Sequence, residues 1–463
     1  ACDEAAPRPN QDSPLGMNLG GVGYGLEWVF VDVGKHASGW VSVPGADTGN
    51  TSAQQYIWGD GQPILTDALG YPTQVGPVQE LVLLSLRDIC KKGAPAGRYV
   101  VLYDGDGTLQ FGMDATVMAR RKGRIDVAFT PTCNPDCWFD TPNWKAYCTD
   151  NGLYLRLTQT DPSNPVRNIR IIAPGFLDRY DAMPFNPYYL KSLERYALLR
   201  FMDMQNTNNA VGLVRWADRP VPAQRTFQGG WGLPLEHMIL LANTLGADPW
   251  FCMPHMADDD YVRSFAGMVK ARLRDDVVVY VEYSNEVWNQ LFSQARYAMQ
   301  RGQALNLTSL GKPCVTAASL CPMYRYHARR SREIFQIWAG VYGPELRKLR
   351  LRFVLSTWAI DTKVSREVLS FEDAYKWADF LGTTAYMGSV SSITSAWAAK
   401  TVSQVFDELY AALPGLVSDT KAQAAVAAAY NVSLIAYEAG PGLVEQGVIG
   451  GGGATGGHVP PHR

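Results

Sequence analysis

The chain has 463 residues, 47% hydrophobic and 19% charged, which is enough to bury one large core or two smaller ones. A net charge of -2 and a pI near 6.4 leave no basic field for a nucleic-acid backbone, so a nucleic-acid partner is excluded and a neutral one fits. No run reaches the roughly 18 uncharged apolar residues of a membrane helix, so no membrane span is expected.

The chain opens on ACDEAAPRPNQDSP, polar and Pro-rich, which reads as the start of a processed mature protein. Sequons at Asn50, Asn306 and Asn431 are compatible with a secretory route, and together these features favour an extracellular location. Cys133, Cys137 and Cys148 share one loop-like stretch, and Cys314 and Cys321 are close neighbours; local disulfides are expected in both clusters. Zinc competes for the first, but a second CxxC and a nearby histidine are missing.

LGMNLGGVGYG (15–25) is a short apolar run with a glycine exit, a first strand within an N-terminal segment 1–49. Residues 50–178 read as an inserted β-rich subdomain. GRYVVLYDGDGTLQF alternates around an Asp-Gly turn, and GLYLRLTQTDPSNPVRNIRIIAPG reads as two more strands around Pro-Ser-Asn, so a hairpin is predicted at each. Asp104 and Asp106 resemble part of a calcium loop, but the third ligand position and the distal Glu are absent. Over 179–445, helical stretches alternate with apolar runs at 197–204, 248–256, 277–286, 351–359, 379–388 and 432–440. With the first strand this predicts an α/β fold, a (β/α)8 TIM-type barrel one strand short. A doubly wound sheet is the alternative, though no Gly-rich phosphate loop follows a strand.

The ends of these runs carry Arg200 and Asp203, then His255, then Asn285 and Glu286, then Trp358, Tyr386 and Glu438. In a TIM-type barrel the C-terminal strand ends face one pocket. Two carboxylates delivered there by different strands suit glycoside hydrolysis, one protonating the departing oxygen and the other attacking the anomeric carbon. A serine nucleophile fails for want of a GxSxG elbow, and His255 with Asp258, Asp259 and Asp260 reads as a helix N-terminus rather than a metal site. The competing plain reading makes Glu286 and Glu438 ordinary loop carboxylates.

YSNEVWN around Glu286 and AYEAG around Glu438 resemble clan A of the glycoside hydrolases, the 4/7 superfamily. More closely, GMNLGGV, PHMADDDYVRSFA, VYVEYSNEVWN, FEDAYKWADFLGTTAYMG and LIAYEAGPGLV resemble a group of secreted glycosidases known as cellulose-binding-domain proteins. The resemblance spans roughly residues 15–445. It implies a retaining glycosidase acting on a β-linked carbohydrate without a cofactor or metal. Glu286 would be the acid/base, Glu438 the nucleophile, and Asn285 the partner of the sugar 2-OH. Tyr386 would orient Glu438, Arg200 would keep it ionised, and His255 would meet substrate hydroxyls. Trp288 and Trp358 are candidate sugar platforms.

The chain departs from the clan after Glu438, where the Gly-rich tail 446–463 offers no eighth strand. This predicts either a C-terminal truncation or a barrel left open between its first and seventh strands, and an open edge implies low stability or association. It also keeps a second class open, a non-catalytic carbohydrate-binding protein, and the β-rich insert could itself bind glycan.

Overall fold

A computed structural model describes residues 13–23, 28–45, 59–86, 95–132, 151–230, 232–387 and 400–441. The first cysteine cluster, Asn50 and the Gly-rich tail, and with it the question of an eighth strand, lie outside these residues. The chain is mixed α/β and contains a seven-stranded parallel sheet flanked by helices, compatible with a TIM-type barrel. It divides into two compact units, 1–197 with 203–206 and 219–247, and 198–202 with 207–218 and 248–463.

The first unit contains the short strand β1 (Gly16–Asn18), two antiparallel sheets, and helices α1 (Pro187–Leu193) and α2 (Leu235–Leu245). The sheets are built from β2 (Val41–Pro44), β3 (Gln79–Ser85), β4 (Gly97–Asp104), β5 (Gly107–Met113), β6 (Ala115–Arg121), β7 (Arg124–Phe129), β8 (Leu153–Thr160) and β9 (Arg167–Ile172). Their orders are β2-β3-β8-β5 and β6-β7-β4-β9. Alternate residues of both, among them Leu81, Leu155, Tyr99 and Ile125, meet in one core, so the sheets pack face to face.

Neither predicted hairpin forms. β4 pairs with β7 and β9, while β5 and β8 pair with each other, so the Asp104-Gly105 turn and the turn before β9 each carry the chain from one sheet to the other. Turn residues mark a reversal but not the sheet that receives the next strand. Gly105 has φ +85°, and a Cβ there would collide with the Pro165 carbonyl of the facing corner. Asp104 and Asp106 are engaged by Asn168 and by Asn164 and Lys122. The hairpin that does form joins β6 and β7 through Lys122-Gly123.

In the second unit β10 (Leu198–Arg200), β11 (Asp248–Met253), β12 (Val279–Tyr283), β13 (Leu351–Ser356), β14 (Phe380–Met387) and β15 (Ser433–Pro441) pair in that order, all parallel. Six runs read as strands from the sequence are therefore strands; β10 to β13 are almost continuously buried, as expected for a sheet covered on both faces, whereas β14 and β15 are more open. The two-residue period splits them. Phe251, Tyr283 and Phe353 meet Phe265, His327 and Phe335 of the helices outside. Trp250, Cys252, Tyr280, Val354 and Tyr437 pack together on the other face. The helices are α3 (Asp259–Arg272), α4 (Ser293–Ala304), α5 (Cys321–Tyr342), α6 (Pro344–Arg350), α7 (Thr362–Ser370) and α8 (Val402–Ala429).

Local signals fix several ends. Asp258 caps α3 by accepting from Tyr261 N–H at 2.7 Å, so the acidic run serves a helix start as expected. Thr401 and Gln404 form a capping box on α8. Cys314 and Cys321 form the expected disulfide. Together with Glu367 their sulfurs make a tight His/Cys/Asp/Glu group, but the disulfide leaves no thiolate for a metal. Asn306 and Asn431 are exposed.

Candidate active site

The floor of the site is a buried ion pair. β12 reads VYVEY, and the inward phase of that strand places Glu282 among apolar side chains with no solvent access. An isolated carboxylate there would be prohibitively costly, so it is paired. Arg200, at the end of β10 and 1% exposed, donates to Glu282 Oε2 from Nε at 3.2 Å and from Nη2 at 2.9 Å. Trp250 Nε1 donates to the same oxygen at 2.9 Å, and Cys252 Sγ lies at 3.5 Å. Burial pushes the Cys252 thiol well up, so it stays a neutral donor. The Arg200 guanidinium lies 5.4 Å from the Trp250 ring and 5.0 Å from the Tyr437 ring. Burial works against its charge, but Glu282 foremost outweighs that and drives the pKa further up.

The rest of the guanidinium reaches the strand ends. Nη1 donates to Glu438 Oε1 at 2.9 Å and Nη2 to Asn285 Oδ1 at 2.8 Å. Tyr386, at the end of β14, donates to Glu438 Oε2 at 2.6 Å, so both oxygens of that carboxylate are held. Burial, and then this bond, push the Tyr386 hydroxyl up and keep it a donor.

Glu286 sits just past β12 in a tight turn. Ser284 and Glu286 have φ of 57° and 42°, left-handed values that non-glycine residues adopt at a cost of about 1 kcal/mol or more each. The turn aims the carboxylate at Tyr437, whose hydroxyl donates to Oε1 at 3.2 Å, while Asn289 Nδ2 donates to Oε2 at 2.8 Å. The Glu286 pKa is raised, chiefly by burial and further by the Glu438 charge. The Asn289 and Tyr437 bonds and Arg200 pull the other way. Asn285 is locked as well: Nδ2 donates to Asn208 Oδ1 at 3.1 Å, and Gln294 Nε2 donates to both Asn208 Oδ1 and the Asn285 carbonyl at 2.7 Å.

The remaining sequence candidates stand around this centre. His255 follows β11, is 2% exposed, and packs its ring against Tyr297 at 5.4 Å. Its Nδ1 has no partner, and burial lowers its pKa to about 4, so it is neutral at neutral pH. Trp288 and Trp358 stack on each other, centroids 5.6 Å apart and planes 10° apart. One face of each is thus taken by the other, and Trp358, at 38% exposure, is the more open of the two. Asp203 is exposed in a turn.

Arg200, Asn285, Tyr386 and Glu438 are therefore one bonded network, and Glu286, held separately by Tyr437 and Asn289, is near enough for the Glu438 charge to act on it. Sequence reading missed Glu282, Tyr437, Asn208, Asn289 and Gln294. Glu282 had a signal, an acid in the middle of an apolar strand; Asn208 and Gln294 had none. Comparison of the chain with protein-family models, with curated proteins and with solved structures gives no match. The arrangement pairs a carboxyl whose pKa is raised by burial with a second carboxylate fixed by a cation and a phenol.

Proposed function

We propose that the second unit is the catalytic barrel of a retaining glycoside hydrolase that cleaves a β-linked poly- or oligosaccharide. The observation that carries this reading is the contrast between two carboxyls on separate strand ends. Glu286 is pushed toward its protonated form by burial and by Glu438, while Glu438 accepts from Arg200 and Tyr386. Glu286 would donate its proton to the glycosidic oxygen as the C–O bond breaks, and Glu438 would attack the anomeric carbon to form a covalent glycosyl ester. A water, deprotonated by Glu286, then releases the sugar with the original anomeric configuration. Asn285, fixed from both sides, keeps a second Nδ2 hydrogen for a sugar hydroxyl. The disulfide and the exposed sequons favour an extracellular setting.

The test is hydrolysis of β-glucan, mannan, xylan and galactan substrates and of aryl β-glycosides, with product anomers followed by proton NMR. Glu438→Gln should abolish turnover, and Glu286→Gln should spare only substrates whose leaving group needs no proton. Saturable glycan binding by the parent protein with no cleavage would replace this reading with that of a carbohydrate-binding protein.

A further inference from the structure

Glu282 is buried, central and unused by the mechanism above, and its contacts are unlike those of a packing residue. It grips one edge of the Arg200 guanidinium through Nε and Nη2, while Nη1 and the remaining Nη2 hydrogen reach Glu438 and Asn285. A guanidinium is planar, so clamping one edge fixes the direction of every other donor. Glu282 is itself fixed by Trp250 and Cys252 from the neighbouring strand. The rings of Trp250 and Tyr437 flank the guanidinium and supply no directional bond.

We propose that Glu282 is a positioning residue, an internal counter-charge whose grip on Arg200 sets the orientation of both Glu438 and Asn285. The claim about geometry stands on these contacts, and its consequence for turnover rests on the glycosidase reading. Trp250, Cys252, Glu282 and Arg200 then form a rigid base beneath the two groups that would meet the sugar ring.

The experiment uses Glu282→Gln, which keeps the shape and removes the charge, with Glu282→Asp as a second variant, both verified as folded by circular dichroism. The first readout needs no activity. Nitrogen-15 NMR of the Arg200 side chain, assigned with Arg200→Lys, should show separate, slowly exchanging Nη signals in the parent and a rotating, averaged guanidinium in Glu282→Gln. The second is kinetic: kcat on the best substrate should fall about 100-fold, as displacement of a reacting group by about 1 Å would cause, with KM changed less than about threefold. Glu282→Asp, which keeps the charge, should recover part of kcat. A folded Glu282→Gln protein whose Arg200 signals stay separate overturns the proposal, as does one whose kcat stays within about threefold of the parent. If the parent cleaves nothing while the Arg200 signals collapse in the variant, the positioning claim holds and the glycosidase reading alone fails.

Discussion

Removing Arg200 should be among the most damaging single changes to the second unit. Its side chain is 1% exposed and makes two bonds to Glu282, one to Asn285 and one to Glu438. In Arg200→Met the apolar stem is kept and the charge is lost, so Glu282, also 1% exposed, is left as a buried carboxyl without its cation. Glu438 is 13% exposed and regains some hydration, which places most of the cost on Glu282. Breaking a buried pair from one side costs about 3–5 kcal/mol. Replacing both members by apolar groups of similar size is often neutral, so Arg200→Met/Glu282→Met should return to within about 1 kcal/mol of the parent. Urea unfolding followed by circular dichroism and Trp fluorescence measures both. A loss below about 1 kcal/mol in the single variant, or a double variant that loses as much as the two singles added together, would refute the reasoning.

Glu286 gives a pH-dependent expectation. Its folded pKa is raised, so the stability it contributes is present below the unfolded carboxyl range and is lost as pH rises through the folded value. Glu286→Gln should therefore melt higher than the parent at neutral pH, with the gain vanishing near pH 4, and a gain independent of pH would contradict the assigned cause. Asn289→Ala removes a donor to the charged form, so the alkaline limb of kcat/KM should move to higher pH; a downward move would reverse the sign. Trp358→Ala should raise KM for oligosaccharides about tenfold through lost ring stacking while leaving the melting temperature nearly unchanged. Cys314→Ser opens a short loop ahead of α5 and should cost about 2 kcal/mol in thermal or urea unfolding, and an unchanged midpoint would show that the loop is held by other contacts.

The parallel strands were legible because each is a short apolar run between helix-period segments, and because polar residues cluster where those runs end. That clustering singles out Arg200, Asn285, Glu286, Tyr386 and Glu438 in the sequence, together with Asp203, His255 and Trp358. The antiparallel unit was less legible. Asp-Gly and Pro-Ser-Asn report that the chain turns, yet whether the next strand pairs with its predecessor or crosses to an opposed sheet depends on distant partners such as β7 and β8. The network around Asn285 was hidden for a related reason: Asn208 and Gln294 sit on segments far apart in sequence and carry no local pattern. Trp288 and Trp358 were each candidates as separate platforms, and only the fold shows that they stack on one another.

The central claim is that Glu438 attacks the sugar while Glu286 supplies the proton. A 2-deoxy-2-fluoro β-glycoside with a good leaving group, matched to the preferred sugar, should slow breakdown of the glycosyl ester enough for mass spectrometry to find it. The account predicts one added glycosyl group per chain, on the peptide that contains Glu438, and none in Glu438→Gln. An adduct on another residue, or hydrolysis with inversion and no adduct, would contradict it.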